Sequence, residues 1–207
     1  MIKEACIQSY DEALIAQKSG ADRIELCSQI NLDGITPKKG LIKKIISSIE
    51  IPIRVMIRPR SGDFDYSEDE LKLMESDIVD CKKLGVEGVV FGVLNKDTTI
   101  NETATRRLVK ASFPLNVTFH KAIDLSYNSL SAVKILCKIP GITSILSSGR
   151  KTTAKEGAKL IKQMIDIAKN DLSIIPAGKI TFKNIIGLHQ LINADEYHGR
   201  NIVSKFN

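Results

Sequence analysis

Short apolar runs rich in β-branched residues alternate along the chain with longer amphipathic segments, and Gly, Pro, Asn or Asp marks most of the boundaries. A period of two in the short runs predicts strands, and helical spacing in the longer segments predicts helices. Eight strands are predicted, near residues 2–7, 22–27, 52–58, 87–92, 115–120, 142–147, 172–177 and 194–198. Helices are predicted between them, near residues 10–19, 37–49, 67–84, 101–112, 127–138, 152–169 and 181–192.

The segment from Ser67 to Gly85 carries the clearest helix signal. Ser67 and Glu70 match a capping box, and Gly85 suits the left-handed position that ends a helix. Apolar residues recur between them at helical spacing. Every interval between predicted strands holds one such helix, and a single crossover helix joins parallel strands. The chain is therefore predicted to be an α/β protein with a parallel sheet.

Side-chain alternation in the strands distinguishes a closed barrel from an open sheet. A barrel strand is apolar towards the helices and need not be apolar towards the interior, whereas an open sheet covered on both faces needs two apolar sides. The third strand has one polar side: Ile53, Val55 and Ile57 alternate with Arg54, Met56 and Arg58. We therefore predict a TIM-type (β/α)8 barrel. Only GRNIVSKFN follows the eighth strand, too little for a full eighth helix, so the barrel is either open at its seam or completed by another subunit.

Length and composition are those of a single globular domain. The 207 residues suit one domain, spanning 1–207, and the 43% hydrophobic and 26% charged residues are an ordinary balance. No stretch approaches the roughly 18 consecutive apolar residues that cross a bilayer. The amino-terminal MIKEACIQSYDEA places acids where a signal peptide needs an apolar run. We expect a cytoplasmic protein without a membrane partner.

Charge and cysteine content narrow the partners further. Thirty Lys and Arg against 24 Asp and Glu give a net charge of +6, but the lysines are scattered over predicted helices. Because no aromatic-interleaved basic motif accompanies them, nucleic-acid binding is not expected. The cysteines are far apart in a chain without an export signal, so we expect reduced thiols rather than a disulfide framework. They are Cys6, Cys27, Cys81 and Cys137.

The polar sides of the strands predict a polar barrel interior. Buried charges are costly unless they are paired, so Arg is expected to pair with Glu there. For the deeper members, Glu4 and Arg54, the alternative is a salt-bridged plug with no chemistry. The predicted interior consists of Glu4, Cys6, Glu25, Cys27, Arg54, Arg58, Asn116, Thr118, His120, Glu196 and His198.

The segment IRPRSGDFDYS after the third strand is the most distinctive loop. Ligands of β/α barrels bind at the carboxyl-terminal ends of the strands, where this loop begins. Arg58 and Arg60 could grip a carboxylate or phosphate with two guanidinium groups, with Asp63 in the same polar turn. Alternatively, Arg60 and Asp63 pair with each other and only hold the loop.

Two histidines are expected at the same rim. His120 ends the fifth strand, with Asp124 four residues later, and His198 ends the eighth. A histidine can act as a general acid or base, bind a metal, or serve as a hydrogen-bonded core residue. His120, Asp124 and the interior Glu25 are the candidate catalytic groups, and His198 is a candidate for substrate binding. His189 lies in a predicted helix and is expected to be structural.

Cys6 and Cys27 end the first two strands with the same inward parity. Neighbouring strands lie about 4.8 Å apart, so both sulfurs could reach one ion, and thiolate pairs select soft metals such as Cu(I). Alternatively, both are small buried hydrophobes, since their spacing matches no zinc motif. The loops SSGRKTTA and PAGKIT are a weaker candidate for phosphate binding, with one glycine each.

Read together, these motifs resemble one family. EACI, GADRIELCS, DGITP, IRPRSGDFDYS, GVVFGVL, VTFHKAID and ILSSGR follow one another in the order of the CutC family, named for copper homeostasis. The resemblance implies a cytoplasmic TIM barrel that forms small oligomers, a dimer or tetramer, with Cu(I) proposed at the positions of Cys6 and Cys27. It also implies a polar rim, whose members here are Glu25, Arg58, Arg60, Asp63, His120, Asp124 and His198.

The resemblance does not settle whether the protein is an enzyme. The family usually has a glycine-richer loop where this chain has PAGKIT, and a longer region after the eighth strand. Two hypotheses therefore stay open. One is a copper-homeostasis protein that binds Cu(I) through Cys6 and Cys27. The other is an enzyme for a small anionic metabolite, carboxylated or phosphorylated, held by Arg58 and Arg60 with His120 as general acid or base.

Overall fold

A computed structural model describes residues 1–169 and 171–206. Eight strands form one sheet, and every strand pair in it is parallel. The order β7-β6-β5-β4-β3-β2-β1-β8 follows the sequence from β1 to β7 and brings β8 beside β1, which carries the sheet round into a barrel. The strands are β1 (Ile2–Ile7), β2 (Arg23–Leu26), β3 (Ile53–Met56), β4 (Gly88–Phe91), β5 (Asn116–Phe119), β6 (Ile142–Ser147), β7 (Ser173–Pro176) and β8 (Glu196–Gly199).

Each crossover contains one α-helix, which confirms the predicted alternation. The predicted capping box of the longest helix is present, with Ser67 as the N-cap and Gly85 in the left-handed conformation after the last turn. The helices are α1 (Tyr10–Lys18), α2 (Lys39–Ile46), α3 (Glu68–Leu84), α4 (Glu102–Ser112), α5 (Ser129–Leu136), α6 (Ala154–Ala168) and α7 (Ile185–Ile192).

Helices α2, α5 and α7 are each at least four residues shorter than predicted. Helix α2 ends three residues early, because Ser47 and Ser48 donate side-chain hydrogen bonds back to the Lys44 carbonyl in a closing turn. Helix α7 starts four residues late, because Thr181 forms a bridge with Asn201 and the Asn184 side chain binds the preceding turn. Sequence periodicity missed two short 3₁₀ turns, at Ile30–Leu32 and Lys121–Leu125.

The outward sides of the strands form the apolar layer that packs against the helices. Val55, Val89 and Val117 lie in one register row and are almost completely buried. Phe91 and Phe119 are neighbours in another row. Burial of this continuous layer removes a large apolar surface from water, which is the main stabilising contribution to such a fold. The inward sides are thereby free to carry polar groups.

The deep interior of the barrel is a compensated polar layer. Arg54 is bound by Glu87 at 2.9 Å and donates to Thr118 Oγ1 and Ser144 Oγ at 2.8 and 2.9 Å. Arg23 is buried against the carboxylate of Glu4. The expected pairing of Arg with Glu is confirmed, and this end of the barrel is filled by side chains.

The seam between β7 and β8 is the place where the barrel is not fully closed. Within the described residues, no ladder hydrogen bonds join these two strands, and only the isolated bridge between Thr181 and Asn201 crosses the seam. No helix follows β8 in the segment 200–206, as predicted. In the part of the chain that the structure describes, no helix has the length and apolar character needed to span a membrane.

Candidate functional site

A cavity of about 320 Å³ lies at the carboxyl-terminal ends of the strands. Cys6, Cys27, Arg58 and His120, which come from four different strands or strand ends, all line it. The sequence-based expectation that these side chains converge on one interior region is therefore met. The remaining lining residues are Glu25, Ile30, Asp33, Gly34, Met56, Phe64, Lys121, Ala122, Asp124, Leu125, Leu146 and His198.

The thiols of Cys6 and Cys27 face each other across β1 and β2. Their Sγ atoms are 3.8 Å apart, and the Cys27 thiol also lies 3.6 Å from the Ile7 carbonyl oxygen. Gly34 approaches this pair closely, because a Cβ at that position would lie 3.2 Å from the Cys27 Cβ. All four cysteines of the chain are free thiols, and Cys81 and Cys137 lie on or just after helices.

His198 connects the thiol pair to two buried carboxylates. Its Nδ1 is 2.9 Å from Glu4 Oε1 and 3.5 Å from Glu25 Oε2. Strand register explains the cluster, since Glu4 is opposite His198 and Cys6 is opposite Glu25. One ligand atom each from Cys6, Glu25 and His198 lies within 4.8 Å of the others.

The protonation states of His198, Glu4 and Glu25 depend on one another. Burial alone would lower the pKa of His198, but Glu25 and hydrogen bonds with Cys6 and Glu4 raise this pKa well above its usual value. Burial would raise the pKa of Glu4, but the hydrogen bond from His198 and the charge of Arg23 lower it to about 2. For Glu25, the nearby positive charges do not offset the effect of burial, which raises its pKa to about 6. His198 is thus a partly buried imidazolium beside Glu4 and Glu25.

The Cys6 thiol is protonated at neutral pH. Its hydrogen bond with Cys27 and its burial raise the pKa of Cys6 well above the ordinary value, despite the nearby imidazolium of His198. A strongly depressed pKa is the mark of a nucleophilic cysteine, and Cys6 lacks it. Cys6 is therefore poorly suited to nucleophilic attack.

His120 lies directly after β5 and caps the 3₁₀ turn Lys121–Leu125. Its Nδ1 accepts a hydrogen bond from the Ala122 backbone N–H at 3.2 Å, which places the ring proton on Nε2. Burial, and then the positive charge of Arg58, lower the pKa of His120 to about 3. The ring is therefore neutral at physiological pH and is a weak base, which argues against a role as general base.

Arg58 lies two residues after β3 and is 3% exposed. Its Nη1 donates to the carbonyls of Leu32 and Gly34 at 3.1 Å each, and its Nη2 donates to Gly62 at 2.9 Å. One side chain thus ties together the loops that follow β2 and β3. Its guanidinium carbon lies 4.8 Å from the centre of the Phe64 ring.

The structure does not bring Arg60 and Asp63 into the cavity. The two side chains form a 2.9 Å ion pair, and Arg60 also pairs with Glu70 and stacks on Tyr66. These contacts turn the guanidinium away from Arg58 and against the first turn of α3. The geometry corresponds to the alternative in which this pair holds the loop, so Arg58 and Arg60 do not form one clamp.

Asp124 lines the cavity, but its carboxylate is fully engaged by the loop after β6. It accepts from Ser147 Oγ at 2.5 Å, from the N–H and hydroxyl of Ser148 at 2.8 and 2.9 Å, and from the Arg150 N–H at 3.1 Å. Backbone N–H groups that converge in this way form an anion-binding turn. The turn that the sequence suggested for phosphate is thus filled by a carboxylate of the same chain.

Several residues of the site were missed at the sequence level. Arg23 has the same strand parity as Glu25, so the alternation pattern could have found it. Phe64 and Lys121 gave no comparable signal, because both lie in irregular segments that reach the cavity through a loop and a 3₁₀ turn.

The fold and this rim cavity define a β/α barrel with a partly buried thiol, imidazole and carboxylate cluster at the carboxyl-terminal ends of its strands. The sequence matches the CutC family over residues 1–203, and the chain belongs to that family. A relative from Mus musculus, named copper homeostasis protein cutC homolog, is 41% identical over 197 residues, which cover 95% of this chain and 72% of the relative. A CutC family protein from Histophilus somni is 40% identical over 195 residues, covering 94% and 80%.

Solved structures agree with the family assignment and with the barrel. CutC from Streptococcus agalactiae is 30% identical, with a TM-score of 0.91 over 98% of this chain and 99% of that chain. Dihydrodipicolinate synthase DapA-2 from Bacillus anthracis is 12% identical, with a TM-score of 0.67 over 96% and 69%. The second likeness shows the barrel fold alone.

Proposed function

We propose that this protein acts in copper homeostasis by binding Cu(I) through the thiolates of Cys6 and Cys27. The observation that carries the proposal is the 3.8 Å separation of the two Sγ atoms in the wall of a rim cavity. Two metal–sulfur bonds of about 2.3 Å each span up to about 4.6 Å, so the thiols can share one ion. The names of the curated relatives point the same way.

The chemistry of the donor set suits a soft cation. Thiolates select Cu(I), and an imidazole is an acceptable neighbour for copper. Cys6 and Cys27 supply the sulfurs. A ligand atom of His198 lies within 4.8 Å of the Cys6 Sγ, so the positive charge of a bound cation would favour loss of the imidazolium proton. Glu4, on the far side of His198, keeps the imidazole oriented. The proposal includes a cytoplasmic location, where thiols stay reduced.

Competition with a Cu(I) chelator under anaerobic conditions tests this function. The site variant is Cys6→Ala with Cys27→Ala, and the matched control is Cys81→Ala with Cys137→Ala, which removes two thiols that do not line the cavity. Loss of a residue that only contacts a metal ligand lowers metal affinity roughly 10- to 100-fold. We expect the Cu(I) affinity of the site variant to fall by more than this. The control should bind as the wild type does. Equal affinity of the site variant and the wild type would refute the assignment.

A second candidate function is an enzyme that acts on a small organic anion. The specific observation in its favour is the cavity volume, because about 320 Å³ exceeds what a single ion fills and lies at the lower end of small-molecule sites. A screen of small carboxylates and phosphate esters by thermal shift and by product analysis tests it. A compound that is converted by the wild type and by the thiol-free site variant would support an enzyme, and conversion of none would count against it.

A further inference from the structure

Glu25 is a buried carboxylate that the fold leaves poorly paired. Its side chain is 2% exposed, and Oε2 has no hydrogen-bond partner in the part of the chain that the structure describes. The buried guanidinium of Arg23 pairs with Glu4 and Glu196 instead. Among the described residues, the salt-bridge partner of Glu25 is His198, at 3.5 Å. A buried charge without a close opposite charge is strongly unfavourable, so this position favours an additional cation.

Cys6 and His198 bring two further metal-binding atoms to the same place. One ligand atom each from Cys6, Glu25 and His198 lies within 4.8 Å of the other two, and these three residues are the donor cluster. Ligand atoms of one tetrahedral zinc ion lie about 3.4–3.6 Å apart, because zinc–sulfur bonds are about 2.3 Å long and bonds to nitrogen and oxygen about 2.1 Å. Side-chain adjustments of about 1 Å therefore suffice for all three atoms to reach one ion.

Glu4 orients the imidazole of His198 for a metal. Its carboxylate lies 2.9 Å from Nδ1, which fixes the ring and leaves Nε2 as the nitrogen for a metal. Metal-binding histidines almost always have their other ring nitrogen on a carboxylate, a carbonyl or a water. Strand register builds this arrangement, because β1 places Glu4 opposite His198 of β8. The next inward residue of β1, Cys6, lies opposite Glu25 of β2. Three adjacent strands therefore hold the donor cluster.

The donor cluster opens to the rim cavity. All three of its residues line the cavity, and Cys6 and His198 are only partly buried. An ion therefore has a route from the cavity to the cluster. Zinc bound by three protein side chains usually keeps a water in its fourth position, and the cavity is the side from which water can reach the ion.

We propose that Cys6, Glu25 and His198 bind one Zn²⁺ ion, with water as the fourth ligand on the cavity side. Zinc accepts sulfur, nitrogen and oxygen ligands together, whereas Mg²⁺ and Ca²⁺ take oxygen ligands. The site differs from the proposed copper pair, because Cys27 is not part of the donor cluster and zinc would have one sulfur ligand. The inference goes beyond copper homeostasis and does not depend on Cu(I) binding.

Titration with Zn²⁺ against a chromophoric chelator, in an anaerobic buffer with a phosphine reductant, tests the assignment. We expect the wild type to bind one zinc ion per chain. Glu25→Gln and His198→Gln each remove one ligand, and the zinc affinity of each variant should fall by more than about 100-fold. Asp33→Asn is the matched control, because Asp33 lines the cavity outside the donor cluster, and it should bind zinc as the wild type does. Cys27→Ala should keep the zinc affinity and lose Cu(I).

X-ray absorption at the zinc edge of the wild type tests the ligand set without any variant. One sulfur neighbour, with nitrogen and oxygen as the others, is expected, and two sulfur neighbours would place zinc at the thiol pair and overturn the proposal. Thermal unfolding shows which variants are folded. Wild-type zinc affinity in folded Glu25→Gln, or an equal loss in Cys27→Ala and Cys6→Ala, would also overturn it. So would failure of the wild type to bind zinc, which would leave Cu(I) binding by the thiol pair unaffected.

Discussion

Gly92 lies directly against the imidazole of His120: a Cβ on this glycine would come within 2.5 Å of His120 Nδ1. No real side chain fits at that distance, so the position of the ring depends on the absence of a side chain on the neighbouring strand end. The same ring is fixed from the other side by the amide of Ala122 and by Phe64. His120 is thus held in one orientation before any ligand arrives.

Gly92→Ala should displace His120. We expect a loss of about 1–3 kcal/mol in the free energy of unfolding, because the added methyl group would overpack against the His120 ring and the Ala122 side chain, together with a changed ¹⁵N shift of His120. Gly187→Ala is the matched control, since Gly187 lies in α7 with open space around its Cβ position. That variant should be neutral or more stable by up to about 1 kcal/mol. Unchanged stability and an unchanged His120 signal in Gly92→Ala would contradict the packing described here.

Glu4→Gln should be destabilising and should flatten the acid limb of the stability profile. The folded pKa of Glu4 is about 2 against a usual 4.5, so the stabilisation is complete above pH 4.5 and is lost as the pH falls towards 2. At neutral pH we expect a loss of about 3 kcal/mol, because the charges of Arg23 and His198 lose a buried partner. Urea unfolding between pH 2 and 7 measures both effects. Parallel profiles for variant and wild type would show that Glu4 is not paired as described.

Asp124→Asn should lower the free energy of unfolding and leave copper binding unchanged. The carboxylate holds the loop after β6 through four hydrogen bonds, and an amide can replace only part of them. We expect a loss of about 2–3 kcal/mol, typical for hydrogen bonds to a buried charged group. Chemical unfolding and the Cu(I) competition assay report the two quantities separately. A stable variant that has lost ligand binding would instead give Asp124 a direct role at the site.

Arg58 and Arg60 should differ sharply in their contribution to stability. Arg60 makes its ion pairs at the surface, so Arg60→Ala should cost less than about 1 kcal/mol. Arg58 is buried and donates to the carbonyls of Leu32, Gly34 and Gly62, so Arg58→Ala should cost at least about 3 kcal/mol, because hydrogen bonds from a charged group contribute about 1.5–3 kcal/mol each. Thermal unfolding of the two single variants measures the contrast. A similar cost for both would refute the different placement of the two guanidinium groups.

Copper affinity should rise with pH. The pKa of Cys6 is raised well above its usual value, so the thiol is protonated throughout the neutral range and the metal must displace that proton. Each proton displaced gives an affinity increase of up to about tenfold per pH unit. Competition titrations between pH 6 and 8, with a chelator calibrated at each pH, measure the slope. A pH-independent affinity would show that copper does not displace a proton from the Cys6 thiol.

Strand alternation was sufficient to predict the part of the site that lies on regular structure. Cys6, Glu25 and His198 share inward parity on neighbouring strands, and register alone brings them together. The outward row of Val55 and Val117 follows from the same period of two. Shifting a strand by one residue would turn all of its polar side chains towards the helices and its apolar ones towards the interior. The alternation pattern therefore determines which side chains point inward wherever the strand is regular.

The irregular segments could not be predicted in the same way. Arg58 and Arg60 are two residues apart on one loop, yet one guanidinium points to the cavity and the other to α3. Asp124 shares a 3₁₀ turn with Lys121, and its carboxylate is taken by a loop that is distant in sequence. Loop conformation depends on such non-local hydrogen bonds, and no periodic pattern in the sequence encodes them.

X-ray absorption spectroscopy at the copper edge of the Cu(I)-loaded protein tests the central claim most directly, because it reports which atoms touch the metal. The account predicts two sulfur neighbours in the wild type and in the Cys81→Ala, Cys137→Ala control, and none in the Cys6→Ala, Cys27→Ala variant. Copper surrounded only by nitrogen and oxygen in the wild type, or sulfur ligation that persists without Cys6 and Cys27, would contradict it.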